Sequence, residues 1–258
     1  MTAVLEKTNA LTLITRQAYT EERPLFGAHE VRLEEVSFSG PGESALKECR
    51  NIEAVRCTFA GKYPLWHNRG ALLTDCIFPE TGRAAIWYSQ NITMKNTRVD
   101  VQKGDYLFLN GRNLCAEDFT LQGNYSFQYT QNVEIRRAKI QSKDAFWNSE
   151  NVTVYDSEIT GEYLGWHSKN LRLVNCTISG TQPLCYAEGL VLENCIMTQD
   201  CDLCFEYASL KADIKGGVAS VKNPRAGSIT ADAYGNIILD EHIKSPGNCQ
   251  TIRRSGGK

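Results

Sequence analysis

The 258-residue chain is 42% hydrophobic and 22% charged, an ordinary globular composition with room for one large domain or two small ones. A formal net charge of −2 and a pI of about 6.1 leave no basic footprint for nucleic acid or an anionic membrane surface. No run approaches the roughly 20 apolar residues of a membrane span, and MTAVLEKTNALTLITRQAYTEERP lacks a cationic start followed by a sustained apolar core. A cytoplasmic address is therefore expected, and the ten cysteines do not read as a disulfide framework.

Residues 1–28 show no repeat and read as an N-terminal cap. From residue 29 one pattern recurs, clearest in NVTVYDSEITG (151–161) and NLRLVNCTISG (170–180). Its starts fall at Glu30, Asn51, Gly70, Asn91, Asn113, Asn132, Asn151, Asn170 and Gly189, with a weaker one at Ser209. The spacings are 21, 19, 21, 22, 19, 19, 19, 19 and 20. A fixed period of roughly 20 residues is the mark of a solenoid.

One and three places after each start stand apolar residues: Val31 and Leu33, Ile52 and Ala54, Val152 and Val154, Leu171 and Leu173. Period-two alternation rich in β-branched residues predicts a strand with one buried face. Eight places after the start, Phe38, Phe59, Phe78, Val99, Leu121, Ile140, Ile159, Ile178 and Met197 mark a second short strand. Between the two strands a column of Glu35, Arg56, Asp75, Asn96, Asp118, Arg137, Asp156, Asn175 and Asn194 forms the corner. Asn and Asp tolerate the left-handed conformation such a corner requires. No coil holds a helix-length segment of 3.6 period, which argues against a leucine-rich repeat.

The predicted fold is all-β: a single-stranded right-handed parallel β-helix. About nine coils, paired at about 4.8 Å, give a rod on the order of 40 Å long. Coils occupy residues 29–215. Residues 216–258 supply C-terminal strands, a cap and a tail, with GSITADAYGNIILDE patterned like a hairpin. Cys57, Cys76, Cys176 and Cys195 share one column, where cysteine serves as a small buried hydrophobe. The sequons at Asn91, Asn124, Asn151 and Asn175 read as by-products of the repeat.

The third segment of each coil (YPLWHN, AAIWYS, YLFLNG, YSFQYT, DAFWNS, YLGWHS, QPLCYA, DLCFEY) is expected to be a strand. Its inward column is Leu65, Ile86, Phe108, Phe127, Phe146, Gly165, Leu184 and Leu203. The next column then faces outward and holds Trp66, Trp87, Leu109, Gln128, Trp147, Trp166, Cys185 and Cys204. Beyond it stand His67, Tyr88, Asn110, Tyr129, Asn148, His167, Tyr186 and Phe205. A one-residue slip would instead put the tryptophans in the core. With the tryptophans outside, Tyr63, Trp66, Trp87, Tyr88, Trp147, Trp166 and Tyr186 form an aromatic strip suited to sugar rings or to a protein partner.

Weak catalytic candidates border that strip. Lys47, Glu48 and His67, together with Glu43, Lys62, Tyr63 and Trp66, make either an acid–base neighbourhood or an ion-paired cap. Asp144 and Glu162 stand in neighbouring coils near His167, and carboxylates one coil apart could lie about 5 Å apart, as in a retaining glycosidase. Mixed charge on a solvated rim explains them equally. Cys201-Asp-Leu-Cys204 resembles half a zinc site, but a second pair is absent and a strand would point its sulfurs apart, so no metal is expected.

The stretches ERPLFGAHEVRLEEVSF (22–38), GESALKECRNIE (42–53), GKYPLW (61–66), FWNSENVTVYDSEITGEYLGWHSKNL (146–171), SGTQPLCYAEGLVLENC (179–195) and VKNPRAGSITAD (221–232) carry a resemblance. They resemble the pectate-lyase-like superfamily of right-handed β-helices, and within it a bacterial single-domain family known only as of unknown function. The resemblance implies the fold, and acidic polysaccharides as the ligands of many superfamily members. It also implies Ca²⁺, by analogy only, held by acidic side chains beside an Arg or Lys base in lyases, or clustered Asp residues in hydrolases. Neither cluster stands in stacked columns here. The expectation is a protein that binds an oligosaccharide or glycoconjugate along the strip, with lyase or hydrolase activity as an extension. The alternative is a non-catalytic scaffold using the strip as a protein interface, such as a homo-oligomer contact.

Overall fold

A computed structural model describes residues 11–103, 106–243 and 247–255. Alternation decides the first ladder. Strands His29–Glu34, Arg50–Val55, Arg69–Thr74, Gln90–Lys95, Arg112–Glu117, Gln131–Arg136, Glu150–Tyr155 and Lys169–Val174 stack in parallel and in register. Leu33, Ala54, Leu73, Met94, Ala116, Ile135, Val154 and Leu173 thus form one unbroken buried column. A second ladder runs from Ala18–Tyr19 through Ser37–Ser39 to Thr177–Ser179. In it the rings of Tyr19, Phe38, Phe59 and Phe78 stack at successive centroid distances of 5.4, 5.3 and 4.9 Å. Each such pair adds roughly 0.5–1.5 kcal/mol beyond its area burial. All described elements are strands, bridges and turns, and the object is a parallel β-helix of about 12 turns.

The corner column is left-handed throughout, from Glu35 (φ 56°) to Asn194 (φ 56°), as its Asn and Asp content predicts. So is the column of repeat starts, and this explains the asparagines. Asn113 donates to Asn91 (2.9 Å), Asn132 to Asn113 (3.1 Å), Asn151 to Asn132 (3.3 Å) and Asn170 to Asn151 (2.9 Å). One side chain both tolerates the backbone and bonds its copy in the next coil. At Gly189 (φ 64°) a Cβ would meet Asn170 Oδ1 at 2.7 Å, so the ladder ends where the side chain disappears.

The coil count exceeds nine because both expected caps are themselves wound. Thr12–Thr15 pairs with Val31–Glu34, with Arg16 (φ 51°) at the corner. Ser209–Lys215, Ala226–Ala231 and Gln250–Arg253 continue the first ladder at the other end. The hairpin-like stretch is no hairpin: Ala233–Ile238 pairs in parallel with Gly217–Lys222. These coils lack the Asn starts and corners by which the others are read.

The third face also departs from expectation. Among the described residues only Leu65–Trp66 and Ile86–Trp87 pair as strands. Elsewhere alternate residues are left-handed: Phe108, Asn110, Phe127, Tyr129, Phe146 and Asn148 all have φ between 52° and 64°. Coil-to-coil hydrogen bonds persist, as in Tyr129 N to Trp147 O and Asn148 N to Trp166 O, both 3.0 Å. In the last coil of this face the columns are two residues off. Phe205, not Leu203, fills the core, while Glu206 follows Cys185 and Tyr207 follows Tyr186.

The cysteine column is inward as expected. Cys57, Cys76, Cys176 and Cys195 are buried, with thiols on backbone carbonyls such as Ala54 O (3.4 Å from Cys76) and Leu173 O (3.3 Å from Cys195). All ten cysteines are unbridged. Burial pushes the Cys176 thiol up to about 12 and that of Cys49 to about 11.

Candidate functional site

Beside the buried column of Leu65, Ile86, Phe108, Phe127, Phe146 and Leu184, the third face carries three further parallel columns. Tyr63, Tyr106, Tyr125 and Tyr163 (φ 52–58°) occupy the first, interrupted by Ala84 and Asp144. Three places on, Trp66, Trp87, Trp147 and Trp166 lie outside the core and half-buried. Next to them stand Glu48, His67, Tyr88, Asn110, Tyr129, Asn148, His167, Tyr186 and Tyr207, every one left-handed.

The aromatic surface is two clusters rather than one strip, because Leu109 and the buried Gln128 interrupt the tryptophans. In the first, Trp66 stacks on His67 (5.5 Å) and His67 on Tyr88 (5.3 Å), while Tyr63 lies edge-on to Trp87 (5.2 Å). Lys47 Nζ sits 4.4 Å above the Trp66 ring, a cation–π contact. In the second, Trp147 stacks on Trp166 (5.3 Å), His167 on Tyr186 (4.8 Å) and Tyr186 on Tyr207 (5.7 Å). Backbone carbonyls hold two indoles in place: Trp87 Nε1 donates to Tyr106 O, and Trp166 Nε1 to Gln182 O at 2.7 Å.

The catalytic candidates are partly gathered. Lys47 Nζ is 3.8 Å from Glu48, and Glu48 and His67 share the wall of one groove. Glu43 is engaged by Lys62 at 2.7 Å, as an ion-paired rim requires. Asp144 and Glu162 do not form a stacked carboxylate pair. Asp144 N bonds Glu162 O, which places Asp144 in the tyrosine column opposite Tyr163, while Glu162 belongs to the neighbouring column with Lys143. Asp144 is 7% exposed and Glu162 pairs with Lys143 at 3.4 Å in solvent. Burial pushes the Asp144 carboxyl above its usual range, with Lys143 opposing and Glu162 adding to the shift. Among the described residues no group of three or more His, Cys, Asp or Glu side chains could hold a metal. Cys185, Cys201 and Cys204 are buried thiols, with burial raising the first to about 12 and the second to about 11.

Beside the first cluster runs a groove of about 660 Å³, lined by Glu48, His67, Tyr88 and Asn110 on one side and by Arg50, Arg69, Gln90 and Arg112 on the other. The second wall is one register row of the first ladder: Arg50 faces Arg69, Arg69 faces Gln90, and Gln90 faces Arg112. This row escapes a reading that begins each repeat at its asparagine, because it lies one place earlier. Reading down that preceding column would have found it.

A family model described as "Protein of unknown function (DUF3737)" matches residues 12–103 and 99–252. No curated protein matches the sequence. Among solved structures, PfbA, a surface adhesin of Streptococcus pneumoniae, is 8% identical with a TM-score of 0.45, over 96% of this chain and 84% of that one. The A-module of the Azotobacter vinelandii mannuronan C-5 epimerase AlgE4 is 12% identical with a TM-score of 0.29, over 94% and 87%. HetL, a pentapeptide repeat protein of the cyanobacterium Nostoc, is 12% identical with a TM-score of 0.26, over 84% and 87%.

Proposed function

The chain belongs to the DUF3737 family, whose function is open, and from that premise we propose that it is an oligosaccharide-binding protein whose ligand lies across the third face. One observation carries the reading: the rings of His67 and Tyr88, with Trp66 stacked on His67, line a groove of about 660 Å³ whose other side chains are polar or charged. Sugars present apolar ring faces and a rim of hydroxyls, and this groove sets the His67 and Tyr88 rings beside Asn110, with Gln90 on the facing wall. The rings are preorganised. His67 N and Tyr88 N bond the next coil at 3.0 and 2.9 Å, so little ordering remains for a ligand to bring about. The second cluster, from Trp147 to Tyr186, extends the same face along the coil axis. Because Asp144 and Glu162 lie in different columns, the reading is binding rather than a two-carboxylate hydrolysis.

The test is a tryptophan-fluorescence titration with panels of neutral and acidic oligosaccharides, alongside sizing of the protein and of Trp166→Ala. A saturable emission change with one sugar class, weakened in Trp66→Ala without a change of size, supports binding. No response to any panel, with an oligomer that dissociates in Trp166→Ala, would replace the reading with a protein interface.

A further inference from the structure

We propose that Arg50, Arg69 and Arg112 are an oxyanion-recognition row that makes the ligand an acidic oligosaccharide, one bearing carboxylate or sulfate groups. This rests on the sugar-binding reading of the same groove. The chain as a whole is slightly acidic, so three exposed arginines along one wall are a local arrangement, not a reflection of bulk charge.

Most other arginines of the ladders are neutralised, Arg253 of the last strand being the exception. Arg32 pairs with Glu34 (2.7 Å) and Glu53 (2.8 Å), Arg56 with Glu35 (3.1 Å), Arg98 with Asp100 (2.8 Å), Arg136 with Glu134 (2.9 Å) and Arg172 with Glu193 (2.9 Å). Among the described residues Arg50, Arg69 and Arg112 have no carboxylate within ion-pair distance, and the one acidic residue of the groove, Glu48, lies beside Lys47. Arg50 and Arg69 face each other directly on adjacent rungs, about 4.8 Å apart at the backbone. Like charges so placed oppose the fold. The row then loses this character: beyond Arg112 come Gln131, Glu150, Lys169 and Glu188, which alternate in sign or carry no charge. The unneutralised stretch therefore coincides with the groove and with the Trp66–His67–Tyr88 stack, and does not run the length of the ladder.

Guanidinium is the side chain suited to this task. Its planar fork takes a carboxylate or sulfate two bonds at a time. Arg69 and Arg112 stand two rungs apart, about 10 Å, with the neutral donor and acceptor Gln90 between them. An extended chain carrying its charges at intervals can meet both while its rings lie along the aromatic wall.

The experiment titrates the full chain with a short oligouronate, the same oligomer with its carboxyls reduced to alcohols, a sulfated neutral oligomer of equal length, and polyglutamate. The oligouronate or the sulfated oligomer should bind at least about tenfold more tightly than the reduced one, an advantage that shrinks as salt rises. Whichever acidic oligomer wins assigns the oxyanion as carboxylate or sulfate. Arg69→Gln and Arg112→Gln should each lose about tenfold in affinity for it. Binding of the reduced oligomer should stay within about twofold, because those contacts are kept. Arg69→Gln should not melt lower than the parent, since it relieves the like-charge repulsion with Arg50. Arg112→Gln, flanked by Gln90 and Gln131 and without a carboxylate partner among the described residues, should melt with the parent. Equal binding of acidic and reduced oligomers, unmoved by the arginine variants, would overturn the row and leave the sugar reading standing. Polyglutamate binding as tightly as the best oligosaccharide would overturn selection of a sugar. Silence from all four would overturn both readings together.

Discussion

The rings of Trp147 and Trp166, one repeat apart in the chain, stack with centroids 5.3 Å apart and planes inclined by 26°. Only a coil that returns each residue above its predecessor can produce that contact. Trp166 is further held by its indole N–H on Gln182 O at 2.7 Å. Trp166→Ala should therefore destabilise the protein by about 2 kcal/mol in urea unfolding, from a lost stack and an orphaned carbonyl. Trp166→Phe keeps a ring and should lose only about 1 kcal/mol. Trp66 offers the contrast: its Nε1 is buried without a partner, so Trp66→Phe removes no hydrogen bond and should change stability by less than about 0.5 kcal/mol. A loss at Trp66 as large as at Trp166 would contradict this account.

The asparagine ladder makes a signed prediction. Asn132 donates to Asn113 and accepts from Asn151 at a φ of 57°. Asn132→Ala should cost about 2 kcal/mol, from two lost bonds between exposed groups and a less tolerated left-handed residue. Gly189→Asn runs the other way. It would extend the ladder toward Asn170 Oδ1, the far end of a side chain that can shift, and should be neutral or stabilise by up to about 1 kcal/mol. Chemical denaturation of the two variants checks both signs.

Asp144 sets a pH dependence. Burial raises its carboxyl in the folded state, so the folded protein holds that proton to higher pH than the unfolded chain. Below the unfolded value of about 3.9 both states are protonated and the residue contributes nothing. As pH rises through the interval up to the raised folded value, stability falls, and the deficit persists above it. Asp144→Asn should thus be more stable than the parent at pH 7 and equal to it near pH 3. An Asn variant that is less stable at neutral pH would show that the ionised carboxylate is instead held favourably.

Thiol chemistry reports the winding directly. Of the ten cysteines Cys115 alone is exposed, and Cys249 is half-buried. A thiol reagent added to native protein should label Cys115 first, Cys249 more slowly, and the other eight only on unfolding. Cys115→Ser should abolish the fast phase. Rapid labelling of Cys57 or Cys176 would place their column outside the core.

What the sequence determined by itself is whatever repeats with the coil: the period, the inward columns of both ladders, the left-handed corner and the asparagine starts. Each is a local requirement met again at every turn, so Leu173 and Asn175 can be assigned from their places in one sentence of the repeat. What only the tertiary structure decided is the third face and the ends. Left-handed residues such as Phe127 and Tyr129 leave no compositional signature, because hydrogen bonds to the coils on either side hold them, Phe127 N to Leu107 O and Tyr129 N to Trp147 O. The two-residue shift that places Phe205 in the core shows only in the pairing between coils, where Tyr186 N donates to Glu206 O. The terminal windings lack the asparagines that mark the rest and are held by pairing to a coil already formed. The arginine row is visible as letters but acquires meaning only when the stack sets Arg50 against Arg69 and turns both toward the Trp66–His67–Tyr88 wall. Charge repulsion and ring stacking act through space, and the spacing along the chain does not encode what the next coil will bring alongside.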